Sequence, residues 1–351
     1  WAVLVSAAGV VASNTSMSIV HTSDGGRHWK RADVPGMSTY ALTKFFDATH
    51  GIVSTRTQTE QILYSTADGG QRWRSSQLPG QGNPDALSLV FLDPRRGWYL
   101  EQASAVLPNS ADAQVPEQSL WRTLDGGASW TQLVGLDAVH QPFAGGLHYG
   151  GFKALGNFID ERHGSLVSVP DAMRPSPTFY LTAEGGQTWT PLAVPQPPDA
   201  LMRQASHGMS FRLFQLPDLL VELIRTAGPS GLNDFTRVSG DGGASWTTVR
   251  PLPVGPNVQL VLPQFEDSRH WCLAAGRLLW RTSDAGETWQ SQPAAIPASL
   301  SISNLQVIGH KVMWAVAARD DAPDGPDHLL RSLDGGVHWE DQGPPALQLV
   351  S

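Results

Sequence analysis

Thr22-Ser-Asp-Gly-Gly-Arg-His-Trp29 decides how this chain is read, because the same pattern returns six more times. It recurs as Thr66-Ala-Asp68-Gly-Gly-Gln-Arg-Trp73, Thr123-Leu-Asp125-Gly-Gly-Ala-Ser-Trp130 and Thr182-Ala-Glu184-Gly-Gly-Gln-Thr-Trp189. The later copies are Ser239-Gly-Asp241-Gly-Gly-Ala-Ser-Trp246, Thr282-Ser-Asp284-Ala-Gly-Glu-Thr-Trp289 and Ser332-Leu-Asp334-Gly-Gly-Val-His-Trp339. Adjacent glycines after an acidic residue, between strand-forming runs, predict a tight turn with positive φ at its centre. The carboxylates of Asp24, Asp68, Asp125, Glu184, Asp241, Asp284 and Asp334 can fold back onto backbone N–H groups of that turn, braced by the hydroxyl two residues earlier. Each copy therefore reads as a β-hairpin with a polar knot at its tip. Trp29, Trp73, Trp130, Trp189, Trp246, Trp289 and Trp339 are expected as buried indoles on the returning strand.

The acidic positions are spaced by 44, 57, 59, 57, 43 and 50 residues, the size of a four-stranded propeller blade. Seven such units fill the chain, so the expectation is one all-β domain over 1–351, a seven-bladed propeller. The chain opens at Trp1 in a second-strand position, since Trp1-Ala-Val3 repeats Trp314-Ala-Val316. Ala346-Leu-Gln-Leu-Val-Ser351 parallels the inner strand Ala86-Leu-Ser-Leu-Val-Phe91, so the C-terminal strand is expected to complete the first blade and remove an exposed sheet edge. The opening WAVLVSAAGVVA lacks a basic leader and reads as a strand of the mature domain of an exported protein whose leader this chain lacks.

A formal net charge of −8 argues against nucleic acid as the principal partner. No apolar run is long enough for a transmembrane helix. The single Cys272 excludes an internal disulfide framework and a cysteine-based zinc site, and its apolar surroundings predict a buried, inert thiol. Histidines and carboxylates show no metal-ligand spacing, and the acidic stretch 319–327 lacks the spacing of a calcium loop, so neither a metal nor another cofactor is expected. The seven acidic repeat residues are too dispersed for one metal cage.

Long insertions fall at 102–118, 170–177, 226–233 and 319–328, between second and third strands, with long links at 135–151 and 191–209. Both connection types should emerge on the rim opposite the repeat turns, where a ligand or partner is expected. That rim and the propeller mouth hold the candidate binding residues His140, His148, Tyr149, Lys153, Arg203, His207 and Arg212, suited to an anion or a peptide carboxylate. No catalytic residue is assigned.

The repeat resembles the Asp-box, or BNR repeat, of sialidases, sortilin-type receptors and photosystem II assembly factors. In size, repeat motif, blade number and split first blade, the whole chain is similar to the photosystem II assembly/stability factor (Ycf48/HCF136-like) family and its bacterial relatives. That resemblance implies a non-enzymatic, monomeric scaffold outside the cytoplasm, secreted, periplasmic or envelope-anchored, that holds a protein client. Photosynthetic members carry an arginine-rich surface patch; the arginines noted here, Arg95, Arg96, Arg203 and Arg212, stand apart in sequence. The alternative is a glycan-binding or glycoside-hydrolase propeller of sialidase or xyloglucanase type. Such chemistry needs an arginine triad and a framed tyrosine nucleophile, and Tyr99, Tyr149 and Tyr180 lack the accompanying motif.

Overall fold

The structure, a computed structural model, describes residues 4–7, 17–21, 30–33, 42–47, 49–56, 61–80, 88–102, 118–136, 141–149, 151–168, 177–229, 231–255, 262–308, 311–321 and 328–342. Strand follows strand in antiparallel meanders. Sheet one holds β1 (Leu4–Ala7), β2 (Met17–His21) and β3 (Lys30–Asp33); sheet two holds β4 (Leu42–Phe45), β5 (Gly51–Arg56), β6 (Gln61–Thr66) and β7 (Arg74–Gln77). Sheet three is β8 (Ser88–Phe91), β9 (Gly97–Gln102), β10 (Gln118–Thr123) and β11 (Thr131–Leu136), followed by a small hairpin of β12 (Phe143–Ala144) and β13 (Leu147–His148). Sheet four is β14 (Lys153–Phe158), β15 (Gly164–Ser168), β16 (Thr178–Thr182) and β17 (Thr190–Leu192). A short helix α1 (Asp199–Gln204) then precedes sheet five: β18 (Gly208–Gln215), β19 (Leu220–Gly228), β20 (Gly231–Ser239) and β21 (Arg250–Pro251). Sheet six is β22 (Gln264–Phe265), β23 (Trp271–Ala275), β24 (Leu278–Thr282) and β25 (Gln290–Pro293). Sheet seven is β26 (Leu300–Ile308), β27 (Val312–Arg319), β28 (His328–Ser332) and β29 (Glu340–Asp341).

These are blades of an all-β propeller, but six of them are complete, not seven. Sheet one has three strands among the described residues. The motif marks the hairpin between third and fourth strands, so seven motifs count seven hairpins and not seven finished blades. Residues 346–351, expected to close the first blade, lie outside the described residues, as do Asp24 and Trp29.

The chain divides into two compact units, Trp1–Val194 and Pro195–Ser351. In both, the core lies between the faces of consecutive sheets. In the first unit Ile52 and Leu63 of sheet two pack with Leu89, Phe91 and Tyr99 of sheet three. Trp98, Leu100 and Leu120 of sheet three meet Leu155, Phe158, Leu166 and Tyr180 of sheet four. The Trp98 and Phe158 rings stack with centroids 3.6 Å apart and planes within 5°. Fully burying side chains of this size contributes roughly 1.5–3 kcal/mol each. In the second unit Cys272, Ala274 and Leu279 of sheet six pack on Ile302, Leu305, Met313 and Ala315 of sheet seven. Burial pushes the Cys272 thiol up to about 11, as suits an inert group.

Sheet five carries a buried ion pair: Arg237 Nε donates to Glu222 Oε2, with both side chains almost fully buried. The guanidinium also donates to Pro195 O at 2.5 Å and sits 5.7 Å from the Trp246 ring. Residues 226–233, expected as an insertion, instead extend β19 and β20, which pair from Leu220↔Ser239 to Gly228↔Gly231.

The expectation of buried repeat tryptophans also needs correction. Trp73, Trp130, Trp246, Trp289 and Trp339 are half-buried, because an outer-strand indole is covered from one side; Trp189 alone among the described copies is fully buried. Its cover is the β12–β13 hairpin. Residues 141–149 of the expected link do not stay on the far rim but lie along the sheet, where Trp189 N donates to Gly145 O at 2.7 Å and Leu147 joins the core beside the indole. Gly146, at φ 81°, allows this approach: a Cβ there would lie 1.9 Å from the Trp189 carbonyl oxygen. Among the described residues no helix is long and apolar enough to cross a membrane.

Candidate functional site

The repeat turns consume their own acidic groups. Thr123 Oγ1 donates to Asp125 Oδ1 at 2.8 Å and accepts from Gly127 N at 2.8 Å, while Ser129 N donates to Asp125 Oδ1 at 2.9 Å. The same bonds recur around Asp68, Asp241, Asp284 and Asp334. Glu184, one methylene longer, instead accepts from Thr188 Oγ1 at 2.8 Å. Hydrogen bonds from Ser245 and Ser239 hold the Asp241 carboxyl down at about 2. At Asp284 burial pulls the other way, but bonds from Thr282 and Thr288 outweigh it, again giving about 2. These groups are structural anions already bonded within their own turns.

A second repeated turn joins the first two strands at the same end of four sheets. Phe45-Phe-Asp47-Ala-Thr-His50, Phe91-Leu-Asp93-Pro-Arg-Arg96, Phe158-Ile-Asp160-Glu-Arg-His163 and Phe265-Glu-Asp267-Ser-Arg-His270 share one geometry. In each, the Asp Oδ1 accepts from the backbone N–H groups two and three residues on. The two turns are then clasped through the backbone: Gly69 N to Thr49 O, Gly126 N to Arg95 O, Gly185 N to Arg162 O and Ala285 N to Arg269 O, at 2.8–3.0 Å.

Between the clasped ends of sheets three and four lies a groove of about 450 Å³ lined by Arg96, Trp98, Arg122, Leu124, Glu161, Arg162, Glu184 and Gln187. It adjoins a second hollow that shares Arg96, Glu161 and Arg162. Arg96 is engaged, by Asp93 at 2.5 Å and, across the groove, by Glu161 at 2.8 Å. Arg162 Nε donates to Ala183 O at 3.2 Å. Arg122 differs. Its Nε is buried with no hydrogen-bond partner, and among the described residues the guanidinium has no carboxylate.

Sheet six supplies the comparison. Arg122 pairs across the strands with Trp98, and Arg281 in the same register with Cys272. Arg281 donates to Gly335 O of the next repeat turn at 2.8 Å and to Glu266 at 3.4 Å. In sheet three the equivalent carbonyl, Gly185 O, accepts from Trp98 Nε1 at 2.8 Å, and Leu92 stands where sheet six has Glu266. Cys272 is too short to make the indole's bond. One Cys-to-Trp difference and one Glu-to-Leu difference thus set Arg122, which lines the groove, apart from the engaged Arg281. A buried donor without a partner costs about 1–3 kcal/mol, and the rest of the guanidinium lines a groove that an acceptor can enter from solvent.

The residues expected from sequence are distributed otherwise. His140 lies outside the described residues. In the first unit His148 and Tyr149 sit on and beside the hairpin, with His148 4.7 Å from the Phe143 ring. Lys153 is fully buried at the start of β14, where Nζ donates to Gln118 Oε1 at 2.7 Å, so it offers no surface to a ligand. In the second unit Arg203 lies on α1, His207 just before β18 and Arg212 on β18, all exposed. The groove was missed because its residues are 25 to 91 positions apart (96, 122, 162, 187) and sit at the repeat-turn end. Among the described residues no group of three or more His, Cys, Asp or Glu gathers as a metal cage.

No family model matches the chain. The chain is 22% identical over 241 residues to the chloroplast photosystem II stability/assembly factor HCF136 of Cyanidioschyzon merolae; the match takes in 66% of this chain and 52% of the relative, so it spans about half that protein's length. Among solved structures it is similar to YCF48 bound to D1 peptide, with a TM-score of 0.51 at 17% identity over 92% of this chain and 86% of that one. An ulvan lyase of polysaccharide lyase family PL25 in complex with its sugar gives 0.52 at 11% identity, over 85% and 81%. The resemblance to the Ycf48/HCF136 group thus holds in both sequence and architecture, while identities this low between structures speak for the fold alone.

Proposed function

We propose that this chain is a non-enzymatic scaffold propeller of assembly-factor type that holds a protein client by a peptide segment. The observation that carries this reading is Arg122, a guanidinium with no partner among the described residues, at a groove whose other side chains suit a peptide: Leu124 for an apolar residue, Gln187 for backbone. The sequence likeness to HCF136 and the fold likeness to a YCF48 that binds a D1 peptide support a protein partner. In this reading the chain is one monomeric domain that works outside the cytoplasm.

The test is a peptide array from the native host's exported and membrane proteins, probed with the full chain and with Arg122→Gln. Hits should weaken about tenfold or more in the variant, the loss expected of a charge-assisted bond. Hits indifferent to Arg122→Gln would move the site elsewhere. A glycan-binding propeller is the second reading, favoured by one feature: Phe143 is 55% exposed against His148, a platform able to stack on a sugar ring. A glycan array decides it, and turnover in a reducing-sugar assay would further make the chain a glycosidase.

A further inference from the structure

The groove contains a carboxylate of its own. Glu161 reaches from the first turn of sheet four to Arg96 in the first turn of sheet three, Oε2 to Nη1 at 2.8 Å. Its side chain is 64% exposed, and it takes no part in building its turn, where Asp160 makes the capping bonds. The corresponding position in the other three turns is Ala48, Pro94 or Ser268, none of them acidic. A carboxylate at this place is therefore peculiar to sheet four, the sheet that faces Arg122 and Arg96 together. It lines both hollows that meet at Arg96.

We propose that Glu161 is a built-in competitor for the groove: it occupies Arg96 in place of an acidic side chain of the client, and a carboxylate-bearing peptide anchored on Arg122 displaces it to gain the second arginine. This rests on the reading of the groove as a peptide site. The physical argument is one of balance. An exposed ion pair is weak, so Glu161 leaves at little cost when a ligand carboxylate, already localised by Arg122, arrives beside it. A ligand with a single negative charge is satisfied at Arg122 and leaves Glu161 in place. A ligand with two suitably spaced carboxylates displaces it. Glu161 thus reduces the gain a second carboxylate brings and keeps binding of acidic segments weak and reversible, and by its own charge it opposes extended polyanions.

Anisotropy with the full chain and an N-terminally labelled, C-terminally amidated Ala-Glu-Leu-Glu-Ala peptide bearing an uncharged fluorophore tests this, with its Glu→Gln analogues as singly charged and neutral controls. Glu161→Gln and Glu161→Ala should bind the doubly acidic peptide about two- to fivefold more tightly, the range of a released exposed ion pair, and leave the neutral analogue unchanged. Glu287→Gln removes an equal charge from the second unit and should change nothing. Equal shifts in Glu161→Gln and Glu287→Gln, or no shift in either, would overturn the competitor role while Arg122→Gln still abolished binding. If the wild type and Arg122→Gln both ignore the acidic peptide, the groove reading fails, and the competitor with it.

Discussion

The indole Nε1 of Trp98 donates to the carbonyl of Gly185, 87 residues further along the chain, at 2.8 Å. This one bond ties sheet three to the repeat turn of sheet four and places an indole donor on the carbonyl equivalent to the one Arg281 uses in sheet six. Trp98→Phe should keep most of the stacking on Phe158 but leave Gly185 O to Arg122 alone. Stability should fall by about 1 kcal/mol, a net hydrogen bond, and acidic-peptide binding should drop together with it. Chemical denaturation and anisotropy on the same variant check both. Unchanged binding would separate Trp98 from the groove.

Thr123 is fully buried, and its hydroxyl both donates to Asp125 and accepts from Gly127 N. Thr123→Val keeps the shape and deletes both bonds, leaving the Gly127 N–H without an acceptor. A loss of about 1–3 kcal/mol is expected, read from the urea midpoint.

Ala285 stands where the other described repeat turns have their first glycine, and is the one non-glycine residue with positive φ among the described residues, at 60°. The left-handed region costs an L-residue about 1–2 kcal/mol, partly offset by the greater freedom glycine has when unfolded. Ala285→Gly should therefore stabilise the chain by up to about 1 kcal/mol, with the Arg269 O bond retained. A lower melting temperature in the variant would count against the strain.

Acid should weaken the turns in a defined window. Asp160, Asp241, Asp267 and Asp284 are held at about 2 by hydrogen bonds from their own turns, against about 3.9 for a free aspartate. Between these values the unfolded chain binds more protons than the folded one, so stability rises with pH there. It is fully present above pH ~4 and is lost as pH falls toward ~2. Melting temperatures taken from pH 5 to pH 2 should fall across that interval; a flat profile would contradict the role given to these carboxylates.

The ion pair of Glu222 and Arg237 predicts a non-additive pair of substitutions. Removing either charge strands the other in the sheet-five interior, and Arg237→Met alone should cost about 3–5 kcal/mol. Glu222→Leu combined with Arg237→Met should cost less than Arg237→Met alone. A double-mutant cycle by denaturation measures the difference.

The sequence made the blade hairpins legible because an Asp–Gly–Gly turn needs only eight consecutive residues, each held by bonds to its own neighbours. The second turn was harder to see: its Asp-x-x-His or Asp-x-x-Arg core has two variable positions, and copies occur in four sheets. Arg122 was illegible for a different reason. Its lack of a partner depends on what faces it in the adjacent strand, Trp98 rather than Cys272, and on a carbonyl 63 residues away at position 185. Lys153 misled by its type, since a lysine in a loop-flanked strand start reads as solvated while Gln118 in fact takes its ammonium inside. Helix α1 went unseen because its six residues follow a proline-rich link and its N-cap, Pro198, makes no side-chain capping bond.

The backbone clasps have a practical consequence. Because each joins the N–H of one turn to the carbonyl of another, the side chains at positions 94, 161 and 268 are not needed to hold the two turns together. Nature has already tried proline, glutamate and serine there. These three addresses can be randomised together as a library, each mounted on a frame that the substitution does not touch, and new recognition properties can be selected without redesigning the fold beneath them.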